Sequence, residues 1–436
     1  MVDFKLVFRA LKYRNYRLFF AGQSISLIGT WMQMVAMSWL VYRLTNSALL
    51  LGIVGFVGQI PTFLLTPFTG VIADRHNRHK ILILTQSLAL LQALVLSILV
   101  LTGTITVAQI MVLSIFLGLI SSLDIPVRQA FTVEMIENKE DLGNAIALNS
   151  SMVNLARLIG PSLAGILIAT FGEGICFLLN AISYIAVIYS LLAMKINPRE
   201  IKLSTNHIVH DLKEGLVYAF NFMPIKSILL LLSLISLMGV PYQILMPVFA
   251  RDIFHGGPQT LGFLMAMSGI GALAGAVYLA GRKSVIGLGK RIALSSAVFG
   301  LGIIVFALSK VLWFSMTVIC IAGFAMMVQM AASNTVLQTI VDEDKRGRIM
   351  SFYTMAFMGM APFGSLLAGT LADSIGAPNT LIVGGACCIL GAAIFTKNLP
   401  ELRKNVRPVY VKKGIIPEVA KGIGAASGLE ILPHNK

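Results

Sequence analysis

The chain alternates between long apolar runs and short polar segments. The runs are about 20 residues long, which is the length that an α-helix needs to cross a hydrocarbon core of roughly 30 Å. An all-α membrane protein with twelve transmembrane helices is therefore predicted. The predicted spans cover residues 18–42, 48–73, 81–102, 105–126, 143–170, 174–194, 227–250, 258–281, 291–309, 311–339, 348–372 and 378–396.

The polar segments divide the chain into four parts. Residues 1–194 and 227–396 each hold six spans, a linker of residues 195–226 joins them, and residues 397–436 follow. Within the linker, residues 210–222 alternate polar and apolar positions at near-helical spacing, which predicts a short amphipathic helix on the membrane surface. A regulatory docking segment is the alternative. The basic segment after residue 397 contains Gly and Pro and predicts a flexible cytoplasmic tail.

The two groups of six spans are related by an internal repeat. Residues 137–172 align without gaps on residues 341–376, and the same offset places six spans on the other six in one orientation. The glycines in register are Gly143 with Gly347, Gly160 with Gly364, Gly165 with Gly369 and Gly172 with Gly376. This pattern predicts parallel repeats about an axis along the membrane normal, an arrangement typical of alternating-access transporters.

Small residues and prolines lie inside the spans, and the small residues Gly160 and Gly364 are equivalent in the repeat. Glycine lets neighbouring helices approach closely where lipid supplies no hydrophobic drive, and proline bends or breaks a helix. We predict helix bending during transport, with packing alone as the alternative, at Gly160, Pro161, Pro362 and Gly364.

Composition and charge exclude a soluble protein and fix the orientation. Charged residues make up 12% of the chain, about half the fraction in a soluble domain, and the mean hydropathy is +0.84. The net charge of +15 does not indicate nucleic-acid binding, because the basic residues lie in short segments between spans. Of 34 Lys and Arg residues, all but Arg43, Arg157, Arg251 and Lys310 lie on one side. The positive-inside rule then predicts an inner-membrane protein with both termini in the cytoplasm.

No residue pattern in the sequence indicates an enzyme or a cofactor. The four cysteines lie inside apolar runs, the six histidines are scattered, and neither set has metal-ligand spacing. The phosphate-binding pattern GxxxxGK[ST] is missing from the sequence, as is any nucleophile and base cluster at membrane depth. We predict no catalytic residue, no metal site and no cofactor.

The segment after the second span carries a recognisable motif. It reads Gly-Val-Ile-Ala-Asp-Arg-His-Asn-Arg-His-Lys over residues 70–80. This resembles the GxLADRxGRK signature of the major facilitator superfamily, with Asn77 in place of the usual glycine and Ile72 in place of leucine. The resemblance implies the major facilitator fold and a cytoplasmic latch between the halves. The implied latch residues, with their charge partners on the fourth span, are Gly70, Asp74, Arg75, Arg78, Asp124 and Arg128.

Further segments resemble one branch of that superfamily. Residues 124–131, 145–149, 154–161 and 346–348 are similar to the exporter branch that contains enterobactin exporters and macrolide efflux proteins. The resemblance extends from about Tyr13 to Phe395 and implies efflux of a siderophore or a drug. Gly160-Pro161 is similar to the antiporter motif of the fifth helix, although Ser162-Leu-Ala-Gly165 replaces its double glycine.

One arginine is predicted near the centre of a span. Charges at that depth are costly and indicate function, and arginine does not lose its proton. We predict that Arg157 binds an anionic group of the substrate. A structural arginine, held by backbone carbonyls, Asn154 or Gln33, is the alternative. The predicted substrate-binding residues are Arg157, Gln33, Trp31, Asn154, Gln243, Gln329 and Asn334.

The pattern therefore predicts a secondary transporter that exports a small amphipathic or anionic molecule. Protons are the candidate coupling ion, although no carboxylate is predicted at mid-depth and Asp124, followed by Asp373, is the nearest. The predicted partners are a small-molecule substrate and the lipid bilayer, with no nucleic acid, and the predicted state is a monomer. An importer or a lysophospholipid flippase on the same fold is the alternative, followed by a membrane receptor or a membrane enzyme.

Overall fold

The computed structural model describes residues 8–195, 217–282, 284–343 and 345–415, without the side chains of residues 66–67, 70–75 and 139. Twelve helices in this part of the chain are long and apolar enough to cross a membrane. They are α1 (Arg14–Thr45), α2 (Ala48–Arg75), α3 (Arg78–Leu101), α4 (Val107–Glu134), α5 (Lys139–Phe171), α6 (Glu173–Leu192), α7 (Met223–Ile253), α8 (Pro258–Ala280), α9 (Leu288–Leu308), α10 (Leu312–Ile340), α11 (Arg346–Ile375) and α12 (Ala377–Lys412).

Side-chain caps define several of the helix ends. The Ser47 hydroxyl accepts a hydrogen bond from the Leu50 N–H (3.2 Å) at the start of α2. Thr106 and Gln109 form a reciprocal capping box at the start of α4, which satisfies two N–H groups that the helix leaves unpaired. The helix α1 ends at Asn46 in the left-handed conformation (φ 49°), a frequent helix stop.

Helices α7 and α11 are irregular, whereas α5 is continuous. Wider π-helical turns interrupt α7 at Ile235–Gly239 and Phe249–Ile253 and α11 at Met355–Gly359. Pro362 lies three residues after the interruption in α11, and its role in bending stays a prediction. Pro161, by contrast, lies inside the unbroken helix α5.

The packing of the helices forms two bundles in contact along two helix pairs. In the first half, α1 packs on α5 and α6, α3 on α4 and α6, and α2 on α4. In the second, α10 packs on α8 and α9, and α12 on α7 and α9. The halves meet along α5–α8 and α2–α11. These two pairs are equivalent in the internal repeat, because α5 corresponds to α11 and α2 corresponds to α8. The predicted fold of two parallel six-helix repeats is thereby confirmed.

Glycines set the spacing of both interfaces between the halves. A Cβ built on Gly165 would lie 3.1 Å from the Gly262 Cα, and one built on Gly52 would lie 2.8 Å from the Gly369 Cα. No side chain larger than hydrogen fits at such distances. Two of these positions, Gly165 and Gly369, are the paired glycines of the repeat.

The end of the chain differs from the expectation of a flexible tail. Helix α12 continues through residues 397–412, because Leu399, Leu402 and Val406 pack against the second half and are buried. Most of the predicted amphipathic helix (210–216) and the last residues (416–436) lie outside the described residues; 217–221 are helical. We call the side with the start of α1 and the end of α12 the terminus face, and the opposite side the far face.

Candidate functional site

Arg157 lies at mid-depth in α5, against an aromatic ring of α1. It precedes the far-face end of α5 by 14 residues, or about 21 Å. Its guanidinium carbon is 5.6 Å from the centre of the Trp31 ring, a cation–π distance. Gly160 makes this approach of α1 and α5 possible, because an added Cβ would be 2.6 Å from the Trp31 Cβ.

The second half supplies hydroxyl and amide groups opposite Arg157. The Tyr242 hydroxyl of α7 is hydrogen-bonded to the Ser268 hydroxyl of α8 (2.7 Å). Gln243 Nε2 donates to the Tyr242 hydroxyl oxygen (3.3 Å). Gly269 brings α8 close to α5, because a Cβ there would lie 3.1 Å from the Arg157 carbonyl oxygen.

These side chains line a narrow cleft between the halves, with a cavity volume of about 10 Å³ in this conformation, which is room for about one water molecule. One cation, two aromatic rings, short polar groups and flexible thioethers meet there, a set that suits a molecule with one anionic group and an irregular apolar body. The lining residues are Trp31, Arg157, Pro161, Tyr242, Gln243, Met246, Met265 and Ser268.

Arg157 has no ionic partner in this cleft. Among the residues that the structure describes, no carboxylate pairs with it and no hydrogen bond from its guanidinium is present. Its side chain is neither fully buried nor fully exposed. The guanidinium is therefore available to an anion.

Gln33 lies in a polar network inside the first half rather than in the cleft. Its side chain is buried, accepts a hydrogen bond from Asn180 Nδ2 (2.7 Å) and donates to Gln92 Oε1 (3.1 Å). Both ends of the amide are satisfied within the bundle, as expected for a buried polar group. The structure thus places Gln33 apart from Arg157.

Three other predicted binding residues do not line the cleft either. Asn154 donates to the Ser150 carbonyl one turn earlier in α5 (2.8 Å). Gln329 is fully buried in α10 and donates to Ser333 (3.3 Å). Asn334 accepts from Gln338 Nε2 (2.6 Å).

The cleft also contains residues that the sequence did not single out. Met246, Met265 and Ser268 line it because α7 and α8 lie beside α1 and α5. The α8 residues could have been found only from the helix pairing, because an apolar span with one serine does not show in its sequence which side faces a cavity. Tyr242 is adjacent to the predicted Gln243.

The predicted latch is described only in part. Asp124 is buried in α4 and accepts hydrogen bonds from Thr85 (2.8 Å) and Gln86 (2.7 Å) of α3. Arg128 Nε lies 3.5 Å from the other Asp124 oxygen.

Arg78 pairs with a residue that the motif did not indicate, Glu134 at the end of α4 (2.7 Å). Gly70 lies in α2, but the side chains of Asp74 and Arg75 are outside the described part, so the latch stays a prediction.

At the far face, hydrogen bonds join the two halves directly. The Tyr42 hydroxyl donates to the Asp252 carboxylate at the end of α7. Arg251 donates to Asn46 Oδ1 (2.6 Å) and its guanidinium carbon lies 5.9 Å from the centre of the Tyr42 ring. These contacts connect the α1–α2 turn to the π-helical turn of α7.

Comparison with known proteins agrees with this architecture. A bacterial homologue of the human lysosomal transporter Spinster, crystallised in an inward-facing and unoccupied conformation, superimposes with a TM-score of 0.67 at 13% identity, covering 91% of this chain and 98% of that chain. This likeness shows the fold.

Sequence relatives cover nearly the whole chain. The staphyloferrin A transporter of Staphylococcus aureus is 27% identical over 86% of this chain and 94% of its own length. Macrolide efflux protein A of Streptococcus pyogenes is 25% identical over 90% and 98%.

A family model described as transmembrane secretion effector matches residues 7–428. This match confirms the predicted superfamily, the transport function and the multi-pass location in the cell membrane. The chain belongs to the transmembrane secretion effector family of major facilitator transporters.

Proposed function

We propose that this transporter exports a small amphipathic molecule with an anionic group, and that Arg157 binds that group. The observation that carries the proposal is the mid-depth guanidinium of Arg157, which faces a cleft between the halves and has no carboxylate partner among the described residues. Arginine remains charged at any physiological pH. An anion of the substrate would balance a charge that is costly at this depth.

The other groups of the cleft support an amphipathic substrate. Trp31, Met246 and Met265 offer apolar contacts around the cation, and Gln243 and Ser268 offer hydrogen bonds. The names of the relatives, which include staphyloferrin A transport and macrolide efflux, support a small organic molecule as cargo.

The distribution of charge supports an orientation with both termini in the cytoplasm. The terminus face carries nearly all Lys and Arg residues, so the positive-inside rule assigns it to the cytoplasm. The far face, where Tyr42–Asp252 and Arg251–Asn46 join the halves, is then the outer side. Alternating access would break these contacts and close the terminus face through the latch around Asp74.

The remaining parts of the proposal concern coupling and organisation. Protons are the proposed coupling ion, and Asp124 is the candidate carboxylate because it is buried between α3 and α4. The proposed functional unit is a monomer. Its proposed parts are the bundles 1–194 and 227–396, the linker 195–226 and the segment 397–436.

The test replaces Arg157 by Gln and by Lys. A hydrogen bond to a charged group is worth about 1.5–3 kcal/mol, so we expect Arg157→Gln to export an acidic substrate about ten- to a hundred-fold less efficiently. Arg157→Lys keeps the charge and should retain part of the rate. Efflux would be measured as accumulation of labelled substrate in a knockout strain carrying each variant.

The matched control is Lys310→Gln, which removes an exposed far-face cation and should leave efflux unchanged. Full export of an acidic substrate by Arg157→Gln would refute the anion-binding role. Lower accumulation in the knockout than in the complemented strain would instead identify an importer.

A further inference from the structure

A second cavity lies far from the central cleft, at the terminus face of the second half. It has a cavity volume of about 430 Å³, within the range for ligand pockets, about 300–1,000 Å³. The start of α7, the turn before α9, the end of α10 and the last part of α12 enclose it. We propose that it binds an anionic phospholipid of the cytoplasmic leaflet, a site beyond the proposed substrate path.

The interior of this cavity is apolar. Ile228, Ile292, Val336, Phe395 and Leu399 line it, and each of them is almost inaccessible to water. No ion or polar ligand is stabilised by such walls. A hydrocarbon chain, which needs no hydrogen-bond partner, suits them.

The rim of the cavity carries two arginines, Arg403 and Arg407. They are one helical turn apart on α12, both are exposed, and neither forms an ion pair within the described residues. Two like charges at this spacing repel each other. An anion placed between them would relieve the repulsion, and a phosphate offers several acceptor oxygens to planar guanidinium groups.

The position along α12 matches the boundary of the bilayer. About 20 residues of α12 suffice to cross the hydrocarbon core, so the core ends near Thr396 when counted from Ala377. Arg403 lies seven residues farther on, about 10 Å along the axis, at the level of the lipid headgroups. The apolar interior begins at Phe395, at the level of the acyl chains.

The charge around the site favours an anionic over a neutral lipid. The described part of α12 after Thr396 holds Lys397, Arg403, Lys404, Arg407 and Lys412 against one acidic residue, Glu401. The cytoplasmic leaflet, which the proposed orientation assigns to this face, contains anionic lipids that attract basic segments. An acyl chain would occupy the apolar interior of the cavity, and a phosphate would bind between the two arginines at its rim.

The test is a lipid titration of the purified full-length protein, followed by native mass spectrometry. The probes are phosphatidylglycerol and phosphatidylcholine with identical acyl chains. We expect wild-type protein to retain phosphatidylglycerol more tightly. Replacing both arginines (Arg403→Gln with Arg407→Gln) should weaken phosphatidylglycerol binding about thirty-fold, because the charge-assisted hydrogen bonds to its phosphate are lost, and should weaken the binding of phosphatidylcholine, whose choline group balances the phosphate charge, much less.

The matched control removes two charges from the same helix outside the cavity, with Lys404→Gln and Lys412→Gln. Both side chains are exposed and do not line the cavity, so binding should change less than two-fold. An equal loss in this control would show diffuse surface attraction and overturn the site. Equal affinity of the wild type for both lipids would overturn it as well.

A second variant tests the acyl-chain part separately. A Cβ at Gly289 would lie 3.0 Å from Leu399 Cδ1, so Gly289→Leu fills the cavity while both arginines remain. We expect it to lose both lipids, and wild-type binding by this variant would refute the proposal. If Gly289→Leu does not fold, as judged by thermal unfolding, the lipid titration of the variant with Arg403→Gln and Arg407→Gln alone decides whether the proposal holds.

Discussion

Gly160 of α5 lies against Trp31 of α1, next to the place where the Arg157 guanidinium contacts the Trp31 ring. Close approaches at Gly160 and Gly262 leave no room for a Cβ beside α1 or α5, and a Cβ at Gly269 would make a tight contact of 3.1 Å with the Arg157 carbonyl oxygen. The arrangement of the side chains in the cleft therefore depends on glycines, which have no functional group of their own. The close approach of α1 and α5 at Gly160 lies beside the contact in which the Arg157 guanidinium carbon is 5.6 Å from the centre of the Trp31 ring.

Replacing Gly160 by Ala should destabilise the protein and impair transport. The new Cβ would lie 2.6 Å from the Trp31 Cβ and 2.9 Å from the Ile28 carbonyl oxygen, so helices must move apart. Overpacking of this kind costs about 1–3 kcal/mol. Thermal unfolding in detergent would report the loss of stability, and substrate efflux would report the displaced Trp31.

Gly143 in the same helix is the matched control. A Cβ there meets nothing within 4 Å, and alanine is favoured over glycine in a helix by about 0.5–1 kcal/mol. Gly143→Ala should therefore unfold at the same or a higher temperature. Equal behaviour of the two variants would contradict the close contact at Gly160.

The sequence predicted part of the cleft, because depth can be estimated from position in a span. Arg157, Trp31 and Gln243 were found in this way and line the cleft. Gln33 lies at a similar depth, but its amide is satisfied by Asn180 and Gln92 inside the bundle. In spans that are apolar on every side, periodicity does not tell a cavity-facing amide from a core amide.

At the scale of elements, the twelve helices were predictable from length and hydropathy, whereas the end of α12 was not. Residues 397–412 are basic and contain Pro400 and Pro408, which predicts an interrupted segment. The structure continues the helix there, because Leu399, Leu402 and Val406 recur at helical spacing and are buried against the bundle. Tertiary packing overrides local propensity in this segment.

The extension of α12 should depend on that buried row. Leu402 is 5% exposed, so Leu402→Ala would leave a cavity, and we expect a loss of about 2–5 kcal/mol in the free energy of unfolding. Limited proteolysis would show whether the extension becomes accessible first. Lys404→Ala, on the exposed side of the same turn, should leave unfolding and proteolysis unchanged, and an equal effect would refute the anchoring role of Leu402.

At the scale of the whole molecule, two kinds of contact hold the halves together. The glycine-rich pairs α5–α8 and α2–α11 form interfaces with close backbone contacts. The far-face contacts of Tyr42, Asn46, Arg251 and Asp252 are polar, and we expect them to form only when the far face is closed. A ligand or mutation shifts a two-state equilibrium only through such state-specific contacts.

Tyr42→Phe should therefore shift the protein toward a state that is open at the far face. The variant removes the hydroxyl that donates to Asp252 and keeps the ring against Arg251. A hydrogen bond to a charged group contributes about 1.5 kcal/mol or more, so the ratio of far-face-open to far-face-closed molecules should rise about tenfold. The ratio would be measured by pulsed electron spin resonance between labels at Thr104 and Val311, which are exposed on opposite halves of the far face.

Tyr189→Phe is the matched control, because Tyr189 is 71% exposed and its hydroxyl forms no hydrogen bond with a described residue. Identical distance distributions for Tyr42→Phe and Tyr189→Phe would show that the far-face contacts do not hold the halves together.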